Sequence, residues 1–173
     1  MPESGKTGAP SVRTRLSASR PPALIWIVGA LVWGAALTGA LLVTLAILER
    51  LGEFHLTALV SIYFCGGALA WLIALPLIRF ASYRRRVETR FAAGFLFLGL
   101  GTVAMTAFLF AMQYRLFYSR WHAPAGSFIW MYQFVYTSAG AAYEFCVIGV
   151  RLVFPWAPAL LLAASLYLAR QRA

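Results

Sequence analysis

Two ionisable residues, Glu144 and Arg151, stand in a stretch of chain that is otherwise apolar. Charge at membrane depth is costly, and where it persists it marks a solute path, a proton relay or a structural pair. The two are seven residues apart, about two helical turns, and Gln133, Thr137 and Gly140 extend the same line towards the N-terminus. On one α-helix these five positions form a polar stripe with aromatic and aliphatic faces on either side. Such a stripe faces protein or a water-filled cavity. It offers Glu144 as a proton carrier and Arg151 as a clamp for an anion. The plainer alternative is an ion pair that docks the helix, or side chains that snorkel to the membrane surface.

A second group lies in predicted loops. Glu49 and Glu53 have i, i+4 spacing, His55 follows, and His122 sits in another loop on the same side. If those loops met, carboxylate and imidazole together could hold a metal ion. No HExxH or equivalent spacing is present, so solvated loop residues are the plainer reading, and no metal or other cofactor is expected. Bis-histidine haem ligation needs histidines inside facing helices, and both histidines lie in or beside loops.

The chain has no Asp, no GxSxG, and no Ser or Cys beside a plausible base, so enzymatic chemistry is not expected. Cys65 and Cys146 read as small buried apolar residues. The run Arg84-Arg85-Arg86 has the donors for a phosphate, but at the end of an apolar segment it reads first as a topology signal and lipid anchor.

The elements that would position these groups follow from composition. Of 173 residues, 62% are hydrophobic and 12% charged, with a mean hydropathy of +0.77. No soluble domain of this size covers so much apolar surface with so little charge, and a disordered chain is equally excluded. The expectation is an all-α integral membrane protein. The net charge of +10 lies in basic residues flanking apolar runs, which points to lipid headgroups and topology rather than to nucleic acid. All basic residues but Lys6 are Arg, a bias typical of GC-rich bacterial genomes, so a bacterial inner membrane is expected.

Residues 1–22 are rich in Pro, Ser, Gly and Arg and read as a disordered basic tail ahead of an uncleaved signal anchor. The remainder, 23–173, reads as a single transmembrane helical domain. Spans are expected at 23–48, 56–78 and 91–113. Small residues recur every fourth position at Ala30, Gly34 and Thr38, and again at Gly66, Ala70 and Ala74, a pattern that lets helices approach closely.

From Tyr114 to Glu144, ten of 31 residues are Phe, Tyr or Trp, a density suited to the membrane–water interface. Ser127 is placed to cap a helix that begins at Phe128. The last 46 residues would extend about 69 Å as one helix, more than twice the ~30 Å hydrocarbon core, so the chain must break. The preferred architecture is a four-helix transmembrane bundle, with an interfacial or re-entrant segment over 114–146 and a last span at 147–169 kinked at Pro155 and Pro158. The alternative has five spans, one at 128–150, with a turn at 154–158. Counting Lys and Arg, four spans put 11 on the cytoplasmic side and 4 outside, five spans 10 and 5, and both obey the positive-inside rule with a cytoplasmic N-terminus.

Few reactive groups and much packing surface point to an accessory or interaction subunit, or an assembly factor, of a larger membrane complex. Its partners would be membrane lipids and other membrane subunits, or further copies of itself. The alternative is a small transporter or channel for an anionic or lipid-like solute, using the Gln133–Glu144–Arg151 stripe. An enzyme acting on a lipid-linked substrate ranks third.

Overall fold

The computed structural model describes residues 13, 16, 17, 19–52 and 55–171. Among these, every regular element is helical. Helix α1 spans Ala23–Ile47, α2 spans Leu56–Ala81, and α3 spans Val87–Tyr118, followed by a single 3-10 turn at Ser119–Trp121. Helix α4 spans Phe128–Glu144, passes into a π turn at Phe145–Gly149, and ends in the short α5, Val150–Val153. Helix α6, Trp156–Arg170, is the last element among the described residues.

Local chemistry sets these boundaries. Pro22 precedes the first turn of α1, where a missing N–H costs nothing. Glu88 lies in the first turn of α3, where the helix dipole favours negative charge. Ser127 caps α4 as expected, its Oγ accepting from the Trp130 N–H at 3.1 Å. Pro76 is held inside α2 without ending it.

Helices α1, α2 and α3 are each long and apolar enough to cross a membrane, and the bent pair of Phe128–Val153 and Trp156–Arg170 makes up to four spans. The expected last span over 147–169 is divided. Residues 147–153 complete the helix that begins at Phe128, and the chain then bends by 79° into α6. The bend falls at Phe154–Pro155, a cis peptide, within the turn that the five-span alternative placed at 154–158. The reason is local: Pro155 has no N–H to continue the ladder, and it bars its predecessor from helical geometry. The expected aromatic segment over 114–146 is likewise split. Its first residues finish α3, the 3-10 turn and a loop follow, and the rest form α4 and the start of the π turn.

Helix α3 is the centre of the bundle, with α2, α4 and α6 packed around it and α1 against α2. Both small-residue ridges are consumed inside this one chain. A Cβ on Gly34 would lie 2.6 Å from the Phe64 carbonyl oxygen, so α1 and α2 touch backbone to backbone there. A Cβ on Gly66 would meet Thr106 Cα at 2.9 Å, which fixes the approach of α2 to α3.

Two apolar clusters result. One joins Trp33 and Leu37 of α1 to Trp71 and Leu75 of α2, Leu98 of α3 and Leu168 of α6. The other joins Leu41 and Leu45 of α1 to Tyr63 of α2, Phe145 of the π turn and Leu152 of α5. The bent pair therefore contributes to both clusters, with its corner between them.

Candidate functional site

A cavity of about 400 Å³ lies in the angle of the bent pair. Helix α3 forms its long wall through Phe95, Gly99, Thr102 and Thr106, and Trp33, Tyr63 and Phe145 close the inner side. Phe154, Pro158 and Leu161 form the side made by the bend itself.

The polar atoms of this lining are already committed. Trp33 Nε1 donates to Thr102 Oγ1 at 3.0 Å, and Thr102 in turn donates to the Leu98 carbonyl at 2.6 Å. Thr106 donates to the Thr102 carbonyl at 2.7 Å. The Tyr63 hydroxyl donates to the Gly149 carbonyl at 2.5 Å, meeting an acceptor in the π turn where the regular ladder is interrupted. The Phe145 ring, held between Tyr63 and Phe110 at centroid distances of 6.1 and 6.0 Å, anchors that turn. Tyr63 is the one ionisable side chain among the lining residues. Such a surface can take up a hydrocarbon chain or another apolar body.

The polar stripe is not assembled as a buried line. Gln133 is half-buried, and its Oε1 accepts from the Ala123 N–H at 2.9 Å, pinning the preceding loop to α4. Thr137 spends its hydroxyl on the Gln133 carbonyl. Gly140 faces open space, and Glu144 and Arg151 are exposed. The π turn separates those last two. It holds one more residue than an α turn, so everything beyond it is set back by roughly 100°. The seven-residue spacing that aligns Glu144 with Arg151 on an ideal helix is therefore lost.

Of the loop cluster, Glu49 and His55 are exposed and His122 is half-buried, while Glu53 lies outside the described residues. Among the described residues, no three of His, Cys, Asp and Glu converge as a metal site would require. Cys65 and Cys146, expected to be buried, are both exposed free thiols.

Sequence reasoning missed Arg115. Its guanidinium lies 3.8 Å from the Phe134 ring centroid and 5.8 Å from that of Trp130, so a cation sits between the end of α3 and the start of α4. The signal was available in kind, an Arg ahead of a dense aromatic run, but which rings it reaches depends on the helix hairpin. Comparison with models of known families, with curated proteins and with solved structures finds no match to this chain.

Proposed function

We propose that this chain acts by binding, as an accessory subunit or assembly factor of a larger membrane complex, and that α4 is its contact surface. The observation that carries the reading is how little of α4 its own bundle uses. Of its 17 residues only Ala141 is buried. Phe128, Tyr132 and Tyr136 stand on one face at successive i, i+4 positions, with ring centroids 5.0 and 6.4 Å apart, and remain 74%, 54% and 72% exposed. Such rings also settle at the headgroup layer. A ladder of Tyr and Phe, rigid and amphipathic, is the composition of an interface core. In this reading the protein sits in a bacterial inner membrane with its Arg-rich end in the cytoplasm, following the positive-inside bias.

The test is a photoreactive residue at Tyr132 or Tyr136, activated in native membranes, with the adducts resolved by mass and identified. A discrete adduct to one other membrane protein, co-migrating with the tagged chain on a native gel, supports the reading. Adducts to lipid alone, with a native mass of one chain, overturn it.

A second reading, the uptake of a lipid-like solute, draws on the apolar cavity rather than on the polar stripe. It expects bulk at Gly99 to reduce uptake and Glu144→Gln to leave uptake unchanged. Loss of uptake on Glu144→Gln would return the stripe to consideration as a proton path.

A further inference from the structure

At the Arg-rich end of the bundle, the close of α2, the first turn of α3 and the end of α6 surround a pocket of about 20 Å³, room for one water-sized group. Its polar lining is Arg79, Ser82, Arg90 and Gln171, over apolar walls that include Ile78 and Leu168. The two arginines are half-buried, and among the described residues no carboxylate side chain lines the space. The Arg79 Nε is buried with no hydrogen-bond partner. Ser82 supplies no free donor, because its hydroxyl proton goes to the Ile78 carbonyl at 2.6 Å.

Two like charges directed into a space this small repel, and desolvation strengthens the repulsion. A bound anion reverses the sign of both interactions. Guanidinium forks match the tetrahedral oxygens of phosphate, and a buried Nε without a partner leaves a donor waiting for one. We infer that this pocket is a phosphate site, taking one phosphate oxygen between Arg79 and Arg90 while the rest of the group stays at the surface. The phosphate belongs to an anionic lipid headgroup or to a free phosphate ester. Arg84, Arg85 and Arg86, all exposed nearby, add long-range attraction without forming the pocket.

The experiment uses the full chain in a neutral detergent and reads the shift of its unfolding midpoint with added ligand. Three probes are compared: short-chain phosphatidylglycerol, the phosphate-free short-chain diacylglycerol and inorganic phosphate. Phosphatidylglycerol is expected to raise the midpoint and diacylglycerol to leave it. Arg79→Gln and Arg90→Gln should each weaken apparent binding about tenfold or more, the loss of a charge-assisted bond. Replacing Arg84 and Arg85 together by Gln should weaken it less than threefold. Arg79→Lys, which keeps charge and loses the fork, should fall between. An equal response to inorganic phosphate, with the same dependence on Arg79 and Arg90, supports the site and makes free phosphate its source. Equal shifts from phosphatidylglycerol and diacylglycerol overturn the inference. So does a wild-type response in Arg90→Gln, or a loss that follows Arg84 and Arg85 instead. If Arg79→Gln fails to fold, Arg79→Lys and Arg90→Gln decide alone.

Discussion

Replacing Gly34 by Ala puts a single methyl group against something that cannot yield. The new Cβ would lie 2.6 Å from the Phe64 carbonyl oxygen, which is backbone in the middle of α2. Ordinary van der Waals contact begins at 3.4 Å, so α1 and α2 must part locally by about 0.8 Å. Overpacking of this kind costs typically 1–3 kcal/mol, and the upper half of that range applies because no flexible side chain gives way. For a chain of this length a loss of about 2–3 kcal/mol lowers the unfolding midpoint by roughly 4–12 °C. Gly39, on the same helix, is the internal control, since a Cβ there meets nothing within 4 Å. Gly39→Ala should be neutral or stabilise by up to about 1 kcal/mol, the difference in helix propensity. The assay is the fraction of protein that stays monodisperse by size exclusion after heating in mild detergent. Equal midpoints for the two variants would refute the backbone contact between α1 and α2.

Tyr63→Phe removes the hydroxyl that donates to the Gly149 carbonyl and should destabilise by about 0.5–1.5 kcal/mol in the same assay, the range for one lost neutral hydrogen bond. Ser165→Ala should do the reverse, because its buried Oγ has no partner; a gain of up to about 1 kcal/mol is expected, and a loss would reveal a bond to that hydroxyl. Arg115→Ala should release the start of α4 from α3, at a cost of about 0.5–2 kcal/mol, read as faster amide exchange confined to the first turns of α4.

The three long helices were legible because apolar runs bounded by Arg, Pro and Glu have few other solutions in length and charge. The close approaches at Gly34 and Gly66 were legible too, since only small residues at fourfold spacing permit them. Ser127 announced its cap through the turn residues ahead of it. The course from Glu144 onward was not legible. Residues 145–150 are apolar on every side and have no face to fix their rotation, so nothing in them distinguishes a π turn from an α turn or from the start of a new span. The stripe through Glu144 and Arg151 rested on ideal periodicity across that segment, and one extra residue in the turn dissolves it. Arg79 and Arg90 were counted only as topology signals. Their convergence depends on how three helix ends meet, which linear spacing does not encode.

Helix α3 contains 32 residues and is therefore about 48 Å long. To hide that length in a ~30 Å hydrocarbon slab it would have to lean by about 50°, beyond the range that spanning helices adopt. At an ordinary lean near 20°, roughly 15 Å must emerge. If the Arg79–Arg90 end is held at one headgroup layer, the emerging part is the Arg115 end, with the opening turns of α4 attached. That ledge is then a depth gauge. A thin bilayer lifts its rings clear into the headgroups, and a thick one draws them towards the acyl chains. Any association made through α4 would thereby depend on membrane thickness, and the same chain would be exposed to partners in one bilayer and submerged in another.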